Sequence, residues 1–245
     1  MSEHDNAMVS VRQFSSGKLV VLHILPGVLV AVFYIVTAPL MAKIGFPEIF
    51  ALILSIFFIT APYVLGLLYY QGKNLNGRFS LDGIVLYREH LTWRQYALII
   101  PVLFTATFVL WKELSPMVGL IQSHLFFWLP DWYLIRNGEI SPNRVMVYWL
   151  VVFTALIFNG IVEELYFRGY LLPRMERLGW LAPVISSLLF AMYHVIAPSF
   201  IVLRTIALFP MIYMTWRKRN LWLSIAVHVG LNISEPLAWL FATLK

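Results

Sequence analysis

The sequence predicts an all-α protein: a polytopic transmembrane helical bundle with about seven spans plus one interfacial or re-entrant segment. Three observations lead there. Of the 245 residues, 60% are hydrophobic and only 12% are charged, about half the charge fraction of an ordinary soluble domain. Apolar stretches of roughly 20 residues, the length that crosses ~30 Å of hydrocarbon, follow one another with polar links between them. The 18 Lys and Arg residues stand mostly beside the ends of those stretches, where they set orientation. Little chain remains for a separate soluble domain. Cysteine is absent, which removes disulfides, thiolate metal ligands and a cysteine nucleophile. The net charge of +6 raises the question of nucleic acid, but no basic run is long enough to line a groove, so no nucleic-acid partner is expected. The polar, acidic start from Met1 to Asn6 has no basic n-region, so no removable signal peptide is expected.

The spans follow in order. Span 1 covers about Leu19–Ala42, with Pro26-Gly27 as an internal break that helix packing tolerates. Span 2 runs from Ile49 to an interfacial Tyr69-Tyr70 pair, and a polar loop with Lys73, Arg78, Arg88 and Arg94 follows. Span 3, about Tyr96–Trp111, is short and holds Pro101. Ser115–Leu134 is apolar but interrupted by His124, Pro130 and Asp131, and reads as the interfacial or re-entrant segment. Span 4 starts near Val145; span 5 is about Trp180–Ile196, span 6 about Phe200–Trp216, and span 7 about Leu221–Leu244. No internal repeat is visible.

Charge counting tests this order. With a cytoplasmic N-terminus the inside receives Arg12, Lys18, Lys73, Arg78, Arg88, Arg94, Arg174, Arg177, Arg217, Lys218 and Arg219. The outside receives Lys43, Lys112, Arg136, Arg144 and Lys245. That distribution obeys the positive-inside rule. A crossing by Ser115–Leu134 would move Arg174, Arg177 and the cluster at 217–219 outside and remove the bias.

Ionisable groups at membrane depth are costly and by default mark a functional site. The uncharged run Val145–Phe158 leads into Glu163-Glu164 and on to Arg168. On a helix Glu164 and Arg168 share a face, while Glu163 points about 100° away. One carboxylate is therefore expected to be structural and the other available for chemistry. Span 5 adds Phe190 and His194, and span 7 adds His228 and Asn232, each pair at i,i+4. Counted inward at roughly 1.5 Å per residue, Glu163 lies about 16 Å deep, His194 about 21 Å, His228 about 10 Å and Asn232 about 16 Å. Four polar groups from three spans are thus expected to converge in the cytoplasmic half of the bilayer.

Each has a plainer reading. A lone intramembrane His or Asn is often only an interhelical hydrogen bond. His23 and His124 have no partner pattern and read as structural. Glu164 with Arg168 reads as a fold-stabilising pair, and Phe190 as packing beside the site. Arg204 in span 6 and Glu235 in span 7, at similar depth, are expected to form an ion pair.

Together the motifs Glu-Glu-x-x-x-Arg, Phe-x-x-x-His and His-x-x-x-Asn resemble those of the CPBP family, the CAAX-protease and bacteriocin-processing intramembrane proteases related to the type II CAAX prenyl endopeptidase. The extension Glu163-Glu164-Leu165-Tyr166-Phe167-Arg168-Gly169 is also similar to the family's Glu-Glu-x-x-Phe-Arg-Gly. The likeness covers about Val145–Leu244. It divides the chain into variable N-terminal spans and an interfacial segment, 1–144, and a catalytic four-helix core, 145–245.

No Ser–His–acid arrangement occurs among the intramembrane groups, and the parts suit an activated water. Glu163, with His194, would bind that water and take its proton. His228 and Asn232 could donate hydrogen bonds to the tetrahedral oxyanion. The resemblance implies the same roles, with Glu164, Arg168 and Phe190 in support. Two His and one or two Glu could instead supply three zinc ligands, which would be Glu163, His194 and His228. There is no His-Glu-x-x-His run, and the resemblance implies a metal-free glutamate mechanism, so no cofactor is expected. The expected function is intramembrane hydrolysis of a peptide bond in membrane-associated or lipidated peptides or proteins. The expected place is a plasma membrane, multi-pass, in a bacterium, with lipid and peptide as partners. A non-proteolytic membrane regulator or bacteriocin-immunity protein of the same family is the alternative. A small transporter would want an inverted repeat, and none is seen.

Overall fold

The computed structural model describes residues 11–129 and 140–243, without the side chains of 235 and 239–243. Among the described residues the chain makes seven helical segments. Helix α1 is Ser16–Lys43, capped by the Ser15 hydroxyl, which accepts from the Lys18 N–H. Helix α2 is Ile49–Asn76, with a π-helical turn at Ile56–Thr60 and a left-handed Gly77 at its end. Helix α3, Trp93–Leu125, starts from a reciprocal capping box between Thr92 and Gln95. Helix α4, Val145–Glu164, continues without interruption through a π-helical segment, Leu165–Leu171, and a 3₁₀ segment, Leu172–Leu178. Helices α5, α6 and α7 are Leu181–Tyr193, Ile201–Lys218 and Leu221–Thr243.

Five stretches are long and apolar enough to cross a membrane: α1, α2, α3, α4 with its flanking turns (Pro142–Leu178) and α6 with the turn before it (Pro198–Lys218). The protein is a multi-pass, all-α membrane bundle. Two expected boundaries move. Span 3 does not stop at Trp111, because α3 is one 33-residue helix that runs on through Ser115–Leu125 with Pro101 and Pro116 inside it. Each proline removes one backbone donor and bends the helix, which an apolar setting tolerates. The separate segment expected at Ser115–Leu134 is therefore not separate over Ser115–Leu125, and its part from 130 to 134 lies outside the described residues. Span 5 ends early: α5 has 13 residues, about 20 Å at 1.5 Å per residue, too short to cross. The chain leaves helical geometry at His194 (ψ 56°) and reaches α6 through an irregular link.

Successive segments run up and down. At one end, the Phe14 N–H donates to Arg174 O (3.1 Å), Leu86 N–H to Gly169 O (2.8 Å) and Leu221 N–H to Tyr87 O (2.7 Å). The Arg174 guanidinium adds bonds to the carbonyls of Ile84, Tyr170 and Gly83, and Tyr87 donates its hydroxyl to Glu176. The residues counted as inside belong to segments that meet at this end. At the other end Ser141 N–H donates to Gly45 O (3.1 Å). The charge pattern suggested seven passes; among the described residues five stretches are long and apolar enough to cross, and α5 is not one of them.

Two glycines set how closely the helices approach. A Cβ on Gly27 would stand 1.8 Å from the carbonyl oxygen of Tyr193, so α1 rests on the last turn of α5 only because nothing projects there. A Cβ on Gly160 would meet the Val229 side chain at 2.8 Å, where α4 crosses α7. Gly27→Ala is expected to lower stability by about 1–3 kcal/mol through overpacking. Gly66→Ala, whose Cβ meets nothing within 4 Å, is expected to leave it unchanged or slightly higher; thermal unfolding of both variants in one detergent makes the comparison.

Candidate active site

The close crossing at Gly160 carries the last turn of α4 against α7 and brings its two carboxylates to His228. Glu164 and Arg168 are both fully buried, with Arg168 Nη1 3.1 Å from Glu164 Oε1. The guanidinium carbon lies over Phe190, 4.0 Å from the ring centroid, so an aromatic face shares its charge. Glu164 Oε1 also stands 2.7 Å from His228 Nδ1. Paired with a guanidinium, Glu164 is an acceptor only, so the His228 Nδ1–H is the donor. That bond sets the ring's orientation and turns Nε2 toward Glu163, at 3.8 Å from its Oε2.

Glu163 faces the other way. It is 2% exposed and accepts a hydrogen bond from the Tyr193 hydroxyl at Oε1 (3.1 Å). His194 follows immediately, just beyond the end of α5, with Nδ1 3.0 Å from Phe190 O. A carbonyl can only accept, so Nδ1 carries the proton and Nε2 keeps its lone pair. Asn232 donates one N–H to Leu156 O (3.2 Å), tying α7 to α4, and its amide has a second N–H.

Glu163, His194, His228 and Asn232 line one cavity of about 210 Å³. One water needs only about 10–15 Å³ of such space, so there is room for a reacting water and part of a ligand. Glu164, Arg168 and Phe190 stand behind the lining. Phe190 packs edge-on to both imidazoles, at 5.1 Å from His194 and 6.0 Å from His228. His23 is buried with Nδ1 on Leu19 O, and His124 bonds Leu120 O on an exposed surface; neither reaches the cavity.

The cavity also holds groups that sequence reasoning missed. Asn159 stands one helical turn before Glu163, a spacing that pointed to it. Tyr193 carried no signal, since neighbouring residues of a continuing helix diverge by about 100°; both Tyr193 and His194 face the cavity because the helix stops between them. Arg204 was expected to pair with Glu235, whose side chain lies outside the described residues; its guanidinium lines the cavity. Gly27 and Val30 of α1 and residues of α2 from Leu52 to Thr60 complete the wall.

Zinc would need three well-placed ligands. Among the described residues no group of three His, Asp or Glu side chains is placed to hold a metal ion. The set Glu163, His194 and His228 does not fit that requirement as it stands.

The buried ion pair gives a direct test. Arg168→Met leaves Glu164 without its countercharge, and a loss of about 3–5 kcal/mol is expected. The double variant Arg168→Met, Glu164→Gln is expected to lose less, and unfolding curves of the two variants give the comparison.

Residues 144–234 match the family model described as type II CAAX prenyl endopeptidase Rce1-like. No curated protein matches, and no solved structure matches. The matched stretch starts one residue before α4 and holds Glu163, Glu164, Arg168, Phe190, His194, His228 and Asn232. Over this α4–α7 region, rather more than a third of the chain, the protein is similar to the type II CAAX prenyl endopeptidase Rce1-like family.

Proposed function

We propose that the protein is an endopeptidase that hydrolyses a peptide bond in membrane-associated or lipidated substrates, with α4–α7 as its catalytic core. The observation that supports this best is Glu163. It is a buried carboxylate at the wall of a cavity, fixed by the Tyr193 hydroxyl, with both imidazoles and the Asn232 amide around the same space. Glu163 takes a proton from a water held between it and His194 Nε2. The hydroxide attacks the substrate carbonyl, and the proton moves on to the leaving amine. Asn232, through its second N–H, faces the oxygen on which negative charge develops; His228 donates to it from Nε2 only with a second proton, since Nδ1–H is given to Glu164. Glu164 and Arg168 act on His228 alone, holding the ring. No step needs a metal. The basic end faces the cytoplasm by the positive-inside rule, which puts the N-terminus of α1 there in a plasma membrane.

Purified protein in liposomes, given quenched lipidated peptides, tests the reading. Glu163→Gln preserves shape but cannot accept the proton, and a loss of about 10²–10⁴-fold in rate is expected. Asn232→Ala is expected to lose about 10²–10³-fold, as for one oxyanion donor. Cleavage is expected to persist in excess chelator. Full activity in Glu163→Gln would remove this glutamate from the mechanism, and loss of cleavage on chelation would reinstate a metal.

A further inference from the structure

Among the described residues Arg168 and Arg174 are buried, and both have conventional partners. Arg168 has Glu164 and the face of Phe190. Arg174 has three backbone carbonyls and the face of Tyr170 at 4.2 Å. Arg204 is different. Among the described residues its guanidinium donates one hydrogen bond, from Nη1 to Ala197 O at 3.2 Å, and lies 5.0 Å from the Phe200 ring centroid. No described carboxylate comes within ion-pair distance of it. The other donors of its five-N–H fork belong to a group in the cavity wall. The acid near enough to feel its charge is Glu163, which is already held by Tyr193 and faces His228.

A cation at this depth with so little protein around its donors is arranged for an anion that arrives with the ligand. A planar fork matches a carboxylate through two parallel bonds. We propose that Arg204 is a specificity-determining residue that binds a carboxylate of the substrate peptide in the cavity shared with Glu163. The proposal rests on the peptidase reading above. Two sources supply that group: the peptide's own C-terminal carboxylate, or an Asp or Glu side chain near the cleaved bond. The Ala197 carbonyl, on the link that carries His194, fixes the guanidinium relative to that imidazole. Binding the carboxylate thus sets which peptide bond lies over Glu163.

The test uses the full chain in liposomes and three matched sets of quenched, N-acylated peptides. The first ends in a free acid, the second in an amide, and the third is an amide with one internal Glu. The wild type is expected to cleave at least one carboxylate-bearing set tenfold or more faster than the plain amide, with the difference mainly in KM. Preference for the free acid identifies the C-terminus as the source, and preference for the third set identifies a side chain. Arg204→Gln is expected to bring the preferred-to-amide ratio close to one, and Arg204→Lys to keep part of it. Equal cleavage of all three sets by the wild type would overturn the proposal while leaving the peptidase reading intact. A uniform fall in Arg204→Gln with the ratio retained would also overturn it, and would give Arg204 a purely structural role. If the wild type cleaves none of the sets while folded, the peptidase reading fails and the proposal fails with it. Should Arg204→Gln not fold, the wild-type ratio alone still decides.

Discussion

The contact on which the site depends is the one from Arg168 through Glu164 to His228. A buried carboxylate needs compensation on every side, and Glu164 obtains it from a guanidinium on its own helix and an imidazole on α7. Because the guanidinium spreads part of its charge over Phe190, the second motif of the chain is drawn into the same knot. Three motifs far apart in sequence thus close around one charge. The result is mechanical as much as electrostatic: the His228 ring cannot turn without breaking a bond to a fully buried acid. The adjacent Glu163 is left facing the cavity.

Small residues and interrupted helices make that knot possible. The bare backbone at Gly160 lets α4 approach α7 closely enough for the 2.7 Å bond, and Gly27 lets α1 rest on the end of α5. The early end of α5 turns Tyr193 and His194 toward one space and leaves a link whose Ala197 carbonyl holds Arg204. Both π-helical segments adjoin the site, one in α2 within the cavity wall and one directly after Glu164. Such segments recur at functional sites because they offset the side chains from regular helical register. The cavity is therefore not the property of α4–α7 alone, since α1 and α2 close it on one side.

The electrostatics of the cavity follow from its occupants. Two carboxylates and two cations lie in a small volume, yet they are not interchangeable pairs. Glu164 and Arg168 neutralise each other out of reach of any ligand, while Glu163 and Arg204 stand on different helices with a space between them. On the proposed reading, a peptide entering that space would meet a proton acceptor on one side and an anion receptor on the other. Position along a substrate can be read by such a pair without extensive contact to side chains.

Much of this was legible before any coordinates. Charge is rare in apolar spans because lipid penalises it, so Glu163, Glu164, Arg168, His194, His228 and Asn232 stood out, and the i,i+4 spacings said which of them share a face. The alternation of basic residues suggested seven passes, where five stretches are long and apolar enough to cross among the described residues. Three things were not legible. Hydropathy does not distinguish a proline that ends a helix from one that bends it, so α3 was cut at Trp111 when it runs to Leu125. Nor does it show where an apolar helix stops within the membrane, so the end of α5 and the inward turn of Tyr193 were missed. The rotation of helices that are apolar on all sides leaves little periodic trace, which hid the contributions of α1, α2 and Arg204. Sequence determined which polar groups the membrane would force together, because each needs a partner it cannot find in lipid. The tertiary structure alone decided which of them became partners and which were left facing the cavity, because close approach depends on the absent side chains of glycines and on where a backbone breaks.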